Sequence, residues 1–266
     1  MTRGRSMRFK AHILAFAVFV LPASARIGAE LQMLAGNPSG ATADPTNRQR
    51  YLITREQYAM DYNDTNRQAN WVAWNLTAGD VGPSGRSDFS VDSGLPSAFH
   101  PLRVTDYSGS GYDRGHLCPS ADRTVTSNDN KVVFVMTNMI PQTPDNNQGP
   151  WLGFEEHCRG LAQAGNELLI IAGPSGYVGR LPSGVVVPSH VWKVVVVVAA
   201  GGGDTLSRIT VNTQVIAIKV PNVSGIRGTS WRNFTTSVNQ IQVDTGLRFF
   251  GSLGSAVAST LYSADP

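Results

Sequence analysis

At 266 residues, with 41% hydrophobic and 15% charged side chains, the chain can bury a sizeable core and is not a disordered polymer. Its formal charge of +3 does not mark a basic nucleic-acid coat, because four of the 22 Lys and Arg fall in the first 25 residues, which hold no Asp or Glu. Loss of that segment would leave 18 basic and 19 acidic side chains, a net of −1, so an anionic polymer would have to be gripped by local arginine clusters.

Taken in chain order, Arg3, Arg5, Arg8 and Lys10 precede an apolar run over residues 11–21, and Ala23-Ser24-Ala25 fits a small-residue cleavage site. Residues 1–25 are therefore expected to be a signal peptide, starting at Met1 or Met7, with a secreted or periplasmic mature chain and no membrane anchor. The apolar run is about half of the roughly 20 residues that a spanning helix needs. Residues 26–50, rich in Gly, Pro, Asn and Thr, read as an irregular arm. One domain is expected over residues 51–254, followed by a small, polar, flexible tail over 255–266. There is no internal repeat and no linker that would split the domain.

Within it, NWVAWNLT at 70–77 alternates apolar and polar residues as a half-buried strand does. A turn-rich stretch follows and contains Arg86. The β-branched runs at 131–136, 167–172, 191–200 and 208–220 are expected to be central strands. Between the first two, Trp151, Phe154, Cys158, Leu161 and Ala162 recur at helical spacing between Pro150 and Gly165, which predicts an amphipathic helix. A second short helix is expected over 231–245 from Phe234, Val238 and Ile241. The fold class that follows is α+β: a central, mostly antiparallel sheet with helices on its faces.

Polar chemistry concentrates in two places. Asp113-Arg114-Gly115-His116 follows the turn-like SGSG of residues 108–111, and Asp145-Asn146-Asn147-Gln148 leads into the helix carrying Glu155 and Arg159. Taken alone, His116 reads as an ordinary hydrogen-bonded histidine, and Asn147 as a helix cap with Glu155 paired to Arg159. In one continuous helix Asn147 and Glu155 would lie about 12 Å apart. That spacing suits an ion held by the Asn147 amide while Glu155 steadies its water. Hard cations such as Mg²⁺ accept amide oxygens and keep several waters. Cys118 and Cys158 are the only cysteines; export would permit a disulfide, and two buried thiols are the alternative. His190 reads as structural and His157 as a solvated helix residue.

Residues 50–250 resemble the DNA/RNA non-specific endonucleases, the ββα-metal nucleases, and in particular their secreted bacterial members. The resemblance rests on DRGH at 113–116, TNMIPQTPDNNQGPW at 137–151 and EEHCR at 155–159. NWVAW at 70–74, AGP at 172–174, VPSHVWKVVV at 187–196 and DTGLRFFGSL at 244–253 add to it. It implies a ββα finger that sets the His116 strand against the Asn147 helix, with His116 as general base and Asn147 as the one direct protein ligand of Mg²⁺, for which Mn²⁺ would substitute. It further implies that Glu155 orients water on the ion and that Asp113 stands behind the ligand. Arg86 would stabilise the pentavalent phosphate, Arg114 and Asn138 would support the phosphate or the site, and Arg159 would contact substrate or pair with Glu155. The substrates implied are DNA and RNA, single- and double-stranded, and a protein inhibitor is a further partner the reading allows. Cys118 departs from the pattern, which usually has alanine there. The rival expectation is an exported, non-catalytic module that binds nucleic acid or protein on the same fold.

Overall fold

The computed structural model describes residue 28 and residues 30–263. The expected signal peptide lies outside them. A short 3₁₀ turn, Leu31–Met33, leads into β1 (Tyr51–Thr54), β2 (Ala59–Asn63) and β3 (Gln68–Leu76). After a long loop come β4 (Asp113–His116), α1 (Ser127–Val133), β5 (Met139–Gln142), the single turn α2 (Pro144–Asn146), a π-type turn Asn147–Trp151 and α3 (Leu152–Gln163). The chain closes with β6 (Glu167–Ser175), β7 (Gly179–Arg180), β8 (Val186–Val187), β9 (His190–Val198), β10 (Gln214–Pro221), β11 (Thr235–Thr236), α4 (Val238–Thr245) and α5 (Ser255–Tyr262).

A sheet in the order β1-β2-β3-β6-β9-β10-β11, antiparallel at every pairing, forms the middle layer. Both of its faces are covered, which explains why β9 reads HVWKVVVVV without the polar alternation of a one-sided strand. Odd positions Val191, Val195 and Val197 join Val72, Trp74, Leu117, Phe134, Trp151, Phe154 and Cys158 in one core layer. Even positions Trp192, Val194, Val196 and Val198 join Trp71, Ala73, Ile241, Phe249 and Leu261 in the other. The first layer lies under β4, β5 and α3, so one face of the sheet supports the ββα unit.

Four expectations are corrected. Residues 131–136 are not a strand: Thr126 and Asp129 form a reciprocal cap, Thr126 Oγ1 accepting from Asp129 N and Asp129 Oδ2 from Thr126 N, and this starts α1 inside the β-branched run. The helix expected over 231–245 is a 3₁₀ turn, then β11 on the edge of β10, then α4, because Ser237 accepts from Gln240 N and caps a new helix there. β10 begins at Gln214, later than the expected strand, after a 3₁₀ turn at Leu206–Arg208. The tail expected to fray is α5, with Ala258 and Leu261 buried, Tyr262 stacked on Phe250 at 5.7 Å, and its hydroxyl donating to the Phe249 carbonyl at 2.7 Å. Among the described residues of the expected arm, the 3₁₀ turn Leu31–Met33 is followed by Leu34, Ala35 and Ala41, which are buried in the second core layer.

Candidate active site

β4 and β5 pair with Asp113 opposite Gln142, Gly115 opposite Ile140 and His116 opposite Met139. The close approach requires the glycine, since a β-carbon at Gly115 would overlap the buried Gln142 side chain. Gln142 Nε2 in turn donates to Asn146 Oδ1 at 2.7 Å, tying β5 to the turn that presents Asn147. Gly149 breaks the helical path at φ −116°, ψ −114°, and a β-carbon there would meet the Arg227 carbonyl at 2.6 Å. Asn147 and Glu155 are therefore not on one continuous helix, and the 12 Å estimate does not describe their relation.

Arg86, Asp113, Arg114 and Asn147 share a cavity of about 340 Å³ with Phe89, Tyr107, Ser108 and Tyr112. Asp113 Oδ2 accepts hydrogen bonds from Asn147 Nδ2 and from Gln148 Nε2, both at 2.8 Å. This fixes the Asn147 amide and leaves its oxygen as the atom free to meet a cation. Arg114 lies over Phe89 at 4.3 Å and Arg86 over Phe134 at 5.0 Å, so each guanidinium rests on an aromatic ring. The Arg86 loop is held by Ser87 N donating to Asn130 Oδ1 and Ser90 N to the Phe134 carbonyl.

The His116 ring stands behind this wall, 4.7 Å from Phe134 and 5.7 Å from Phe89 by ring centroids. Its carbonyl accepts from Trp151 Nε1, and its Nε2 is buried with no partner among the described residues. Burial, reinforced by the Arg86 charge, lowers its pKa to about 3, which keeps the imidazole neutral at physiological pH.

Glu155 is not among the residues that line this cavity. Its Oε1 is 3.5 Å from Nζ of Lys193, whose ammonium also sits 4.2 Å from the Trp151 ring. Burial pushes the Glu155 carboxyl up to about 7, with Lys193 acting against the rise. Lys193 is fully buried and the residue-level reading passed over it; the signal was a lone lysine inside VWKVVVVV, which places it on the ββα face with the odd-numbered valines. Phe89 and Phe134, the platforms for the two arginines, were equally unmarked, as nothing in their sequence context separates them from core residues.

Three expectations about individual side chains change. Asn138 is buried and structural: Oδ1 accepts from Cys118 N, and Nδ2 donates to the carbonyls of Cys118 and Val133, so it holds the exit of β4 without facing the cavity. Arg159 pairs with Asp122 at 3.0 Å and not with Glu155, because Lys193 is already there. His157 is not a freely solvated residue but packs 4.9 Å from Trp231. His190 opens β9 beside Ser189 Oγ, in keeping with a structural part. Cys118 and Cys158 are both buried free thiols in the ββα core layer, so the bridge considered above is not formed.

Among the described residues no group of three His, Cys, Asp or Glu is placed to hold a metal. The donor set here, one amide oxygen with a carboxylate behind it, suits a hard cation that keeps most of its water. No described helix is long and apolar enough to cross a membrane.

The sequence profile of the DNA/RNA non-specific endonucleases matches residues 35–256. A nuclease of Nostoc sp. is 43% identical over 235 residues, covering 88% of this chain and 85% of the relative. Nuclease C1 of Cunninghamella echinulata var. echinulata is 30% identical over 81% of this chain and 88% of its own length. For human mitochondrial endonuclease G the identity is 30%, with 74% and 69% covered. A chain from the crystal structure of the EndoG/EndoGI complex superposes with a TM-score of 0.70 at 24% identity, covering 85% of this chain and 92% of that one, which is a likeness of fold. The chain belongs to the DNA/RNA non-specific endonuclease family and is a hydrolase acting on nucleic acids.

Proposed function

We propose that this is an exported endonuclease that hydrolyses DNA and RNA, single- and double-stranded, without reading sequence, and that its activity depends on Mg²⁺ or, in its place, Mn²⁺. The observation that carries the reading is the shared wall of Arg86, Arg114 and the Asp113-fixed Asn147, with the neutral His116 imidazole packed against Phe89 of that wall. Export rests on the leader at residues 1–25.

In the reaction proposed, Arg86 and Arg114 hold the scissile phosphate through its non-bridging oxygens. A water aligned opposite the 3′ oxygen attacks phosphorus as the His116 imidazole takes its proton; the new P–O bond forms, the bond to the 3′ oxygen breaks, and the departing oxygen takes a proton from solvent. His116 is a weak base in its apolar setting, and the negative phosphate docked beside it raises its proton affinity when the proton must be taken. Arg86, exposed and resting on Phe134, meets the charge that develops on the phosphorane. The Asn147 oxygen would hold the divalent ion, which when bound supplies Lewis-acid stabilisation of the phosphoryl and leaving oxygens. Glu155, kept in place by Lys193, would orient water at that position. A DNA zymogram with and without chelator tests the reading. Activity lost in chelator and restored by Mg²⁺ or Mn²⁺ supports it, and clearing that persists in chelator, or binding without any clearing, rejects it.

A further inference from the structure

The segment that follows β10 is bound closely to the turn that presents Asn147. Asn222 is buried and spends its whole amide there: Oδ1 accepts from Thr143 N at 2.8 Å, and Nδ2 donates to the carbonyls of Pro141 and Pro188 at 2.9 and 3.0 Å. Thr143 Oγ1 donates to the Val223 carbonyl at 3.0 Å, and Asn146 Nδ2 to that of Pro221 at 2.8 Å. Asp145 takes Gly225 N on one oxygen at 2.6 Å and Arg227 Nε on the other at 3.0 Å. Thr143, Asp145 and Asn146 thus all bond to this segment, and the turn they form runs straight into Asn147.

At its exposed end the segment presents an arginine. The Arg227 side chain is 53% exposed, and of its five N–H donors only the one on Nε is engaged; the terminal amino groups make no bond among the described residues. Its backbone lies against Gly149, where an added β-carbon would stand 2.7 Å from the Arg227 Cα. Gly149 is two positions from Asn147, so the Cα atoms of Asn147 and Arg227 are within about 12 Å of each other. An arginine side chain and one nucleotide step span that distance together. Farther along, Trp231 packs beside Gly153 and 4.9 Å from the His157 ring, and the exposed Arg232 lies over the indole at 4.3 Å. Gly149, Gly153 and His157 recur at intervals of four, so the chain from Arg227 to Arg232 follows one edge of the π-type turn and α3. A surface ion pair such as Arg227 with Asp145 adds little to stability. Two exposed guanidiniums in line with the Asn147 turn are, however, the local arginine cluster that a chain without a basic coat needs in order to hold an anionic polymer.

We propose that Arg227 and Arg232 form a track for the nucleic-acid backbone beyond the scissile phosphate, Arg227 gripping the phosphate next to the one at Asn147 and Arg232 one farther along the same strand. The track rests on the cleavage site proposed above. It reads no base, since both contacts are to phosphate.

Fluorescence anisotropy of a labelled single-stranded dodecanucleotide, with the full chain in chelator, tests the track. Arg227→Ala should weaken binding fivefold or more and Arg232→Ala threefold or more, each flattening the log–log salt slope by about 0.7, the share of one phosphate on a single strand. Arg227→Lys keeps the charge and should keep the slope. Arg248→Ala removes an exposed arginine between Leu247 and Phe249 of the other core layer and should change neither affinity nor slope. In Mg²⁺ the Arg227→Ala loss should appear in KM, with kcat changed far less, and the melting temperature should not move. Wild-type affinity and slope in Arg227→Ala or Arg232→Ala, an equal loss in Arg248→Ala, a loss confined to kcat, or no measurable binding by the wild type would each overturn the track. A wild type that binds the strand through Arg227 and does not cleave it would instead reject the reaction proposed above and leave the track standing.

Discussion

His116 shows how an apolar setting can serve a polar task. Its Nε2 is buried without a partner, and burial and then Arg86 depress its pKa to about 3 from an ordinary 6.5. Between those values the unfolded chain binds a proton that the folded chain refuses, so the folded state loses stability as pH falls from about 6.5 toward 3. Denaturant melts across that window should show a smaller loss in His116→Phe, which carries no titrating ring; identical pH profiles would mean that the ring is not held neutral. Arg86 affects the same nitrogen and, in the mechanism proposed, the phosphorane. Arg86→Ala is expected to lower turnover by about two orders of magnitude or more, with substrate affinity changed far less, because its charge matters most as the transition state forms. Turnover close to wild type would remove it from the site.

At the level of elements, the helix α3 and the strands β3, β6 and β9 were legible because their apolar spacing is set by burial alone. α1 was not, since four β-branched or aromatic residues outweighed a two-residue cap in any reading by run. α5 was missed because its side chains are small and it is buried only by what lies distant in sequence. For the site, residue types and motif placed Asp113, Arg114 and Asn147 together, while Arg159, Asn138 and Lys193 were decided by which partner lay across the sheet, which spacing along the chain does not encode. The cysteines belong here too. Both thiols are desolvated between β4 and α3, burial pushing Cys118 up strongly and Cys158 to about 12, so neither ionises readily. Titration of the denatured, unreduced chain should count two free thiols, and reduction should leave the melting temperature unchanged. No thiols, with a melting point that falls on reduction, would place a bridge between these elements after all.

Across the whole molecule, the antiparallel sheet separates two core layers, and the candidate site lies on the ββα side. Arg86 and Arg114 are the arginines that line it, and the chain without its first 25 residues carries a net charge of −1. Cleavage-site binding should therefore weaken with salt only modestly, with a log–log slope of about −2 to −4, at roughly −0.9 per neutralised phosphate. A slope implying eight or more phosphates would demand a basic surface that this composition does not supply. The central claim, that a motif histidine acts on the reacting water and not on substrate affinity, is tested most directly by the single-turnover rate of His116→Ala on bound DNA in saturating Mg²⁺. A fall of about a thousandfold or more, with binding within a few fold of wild type, is the result expected of a general base. Cleavage at the wild-type rate would contradict the account.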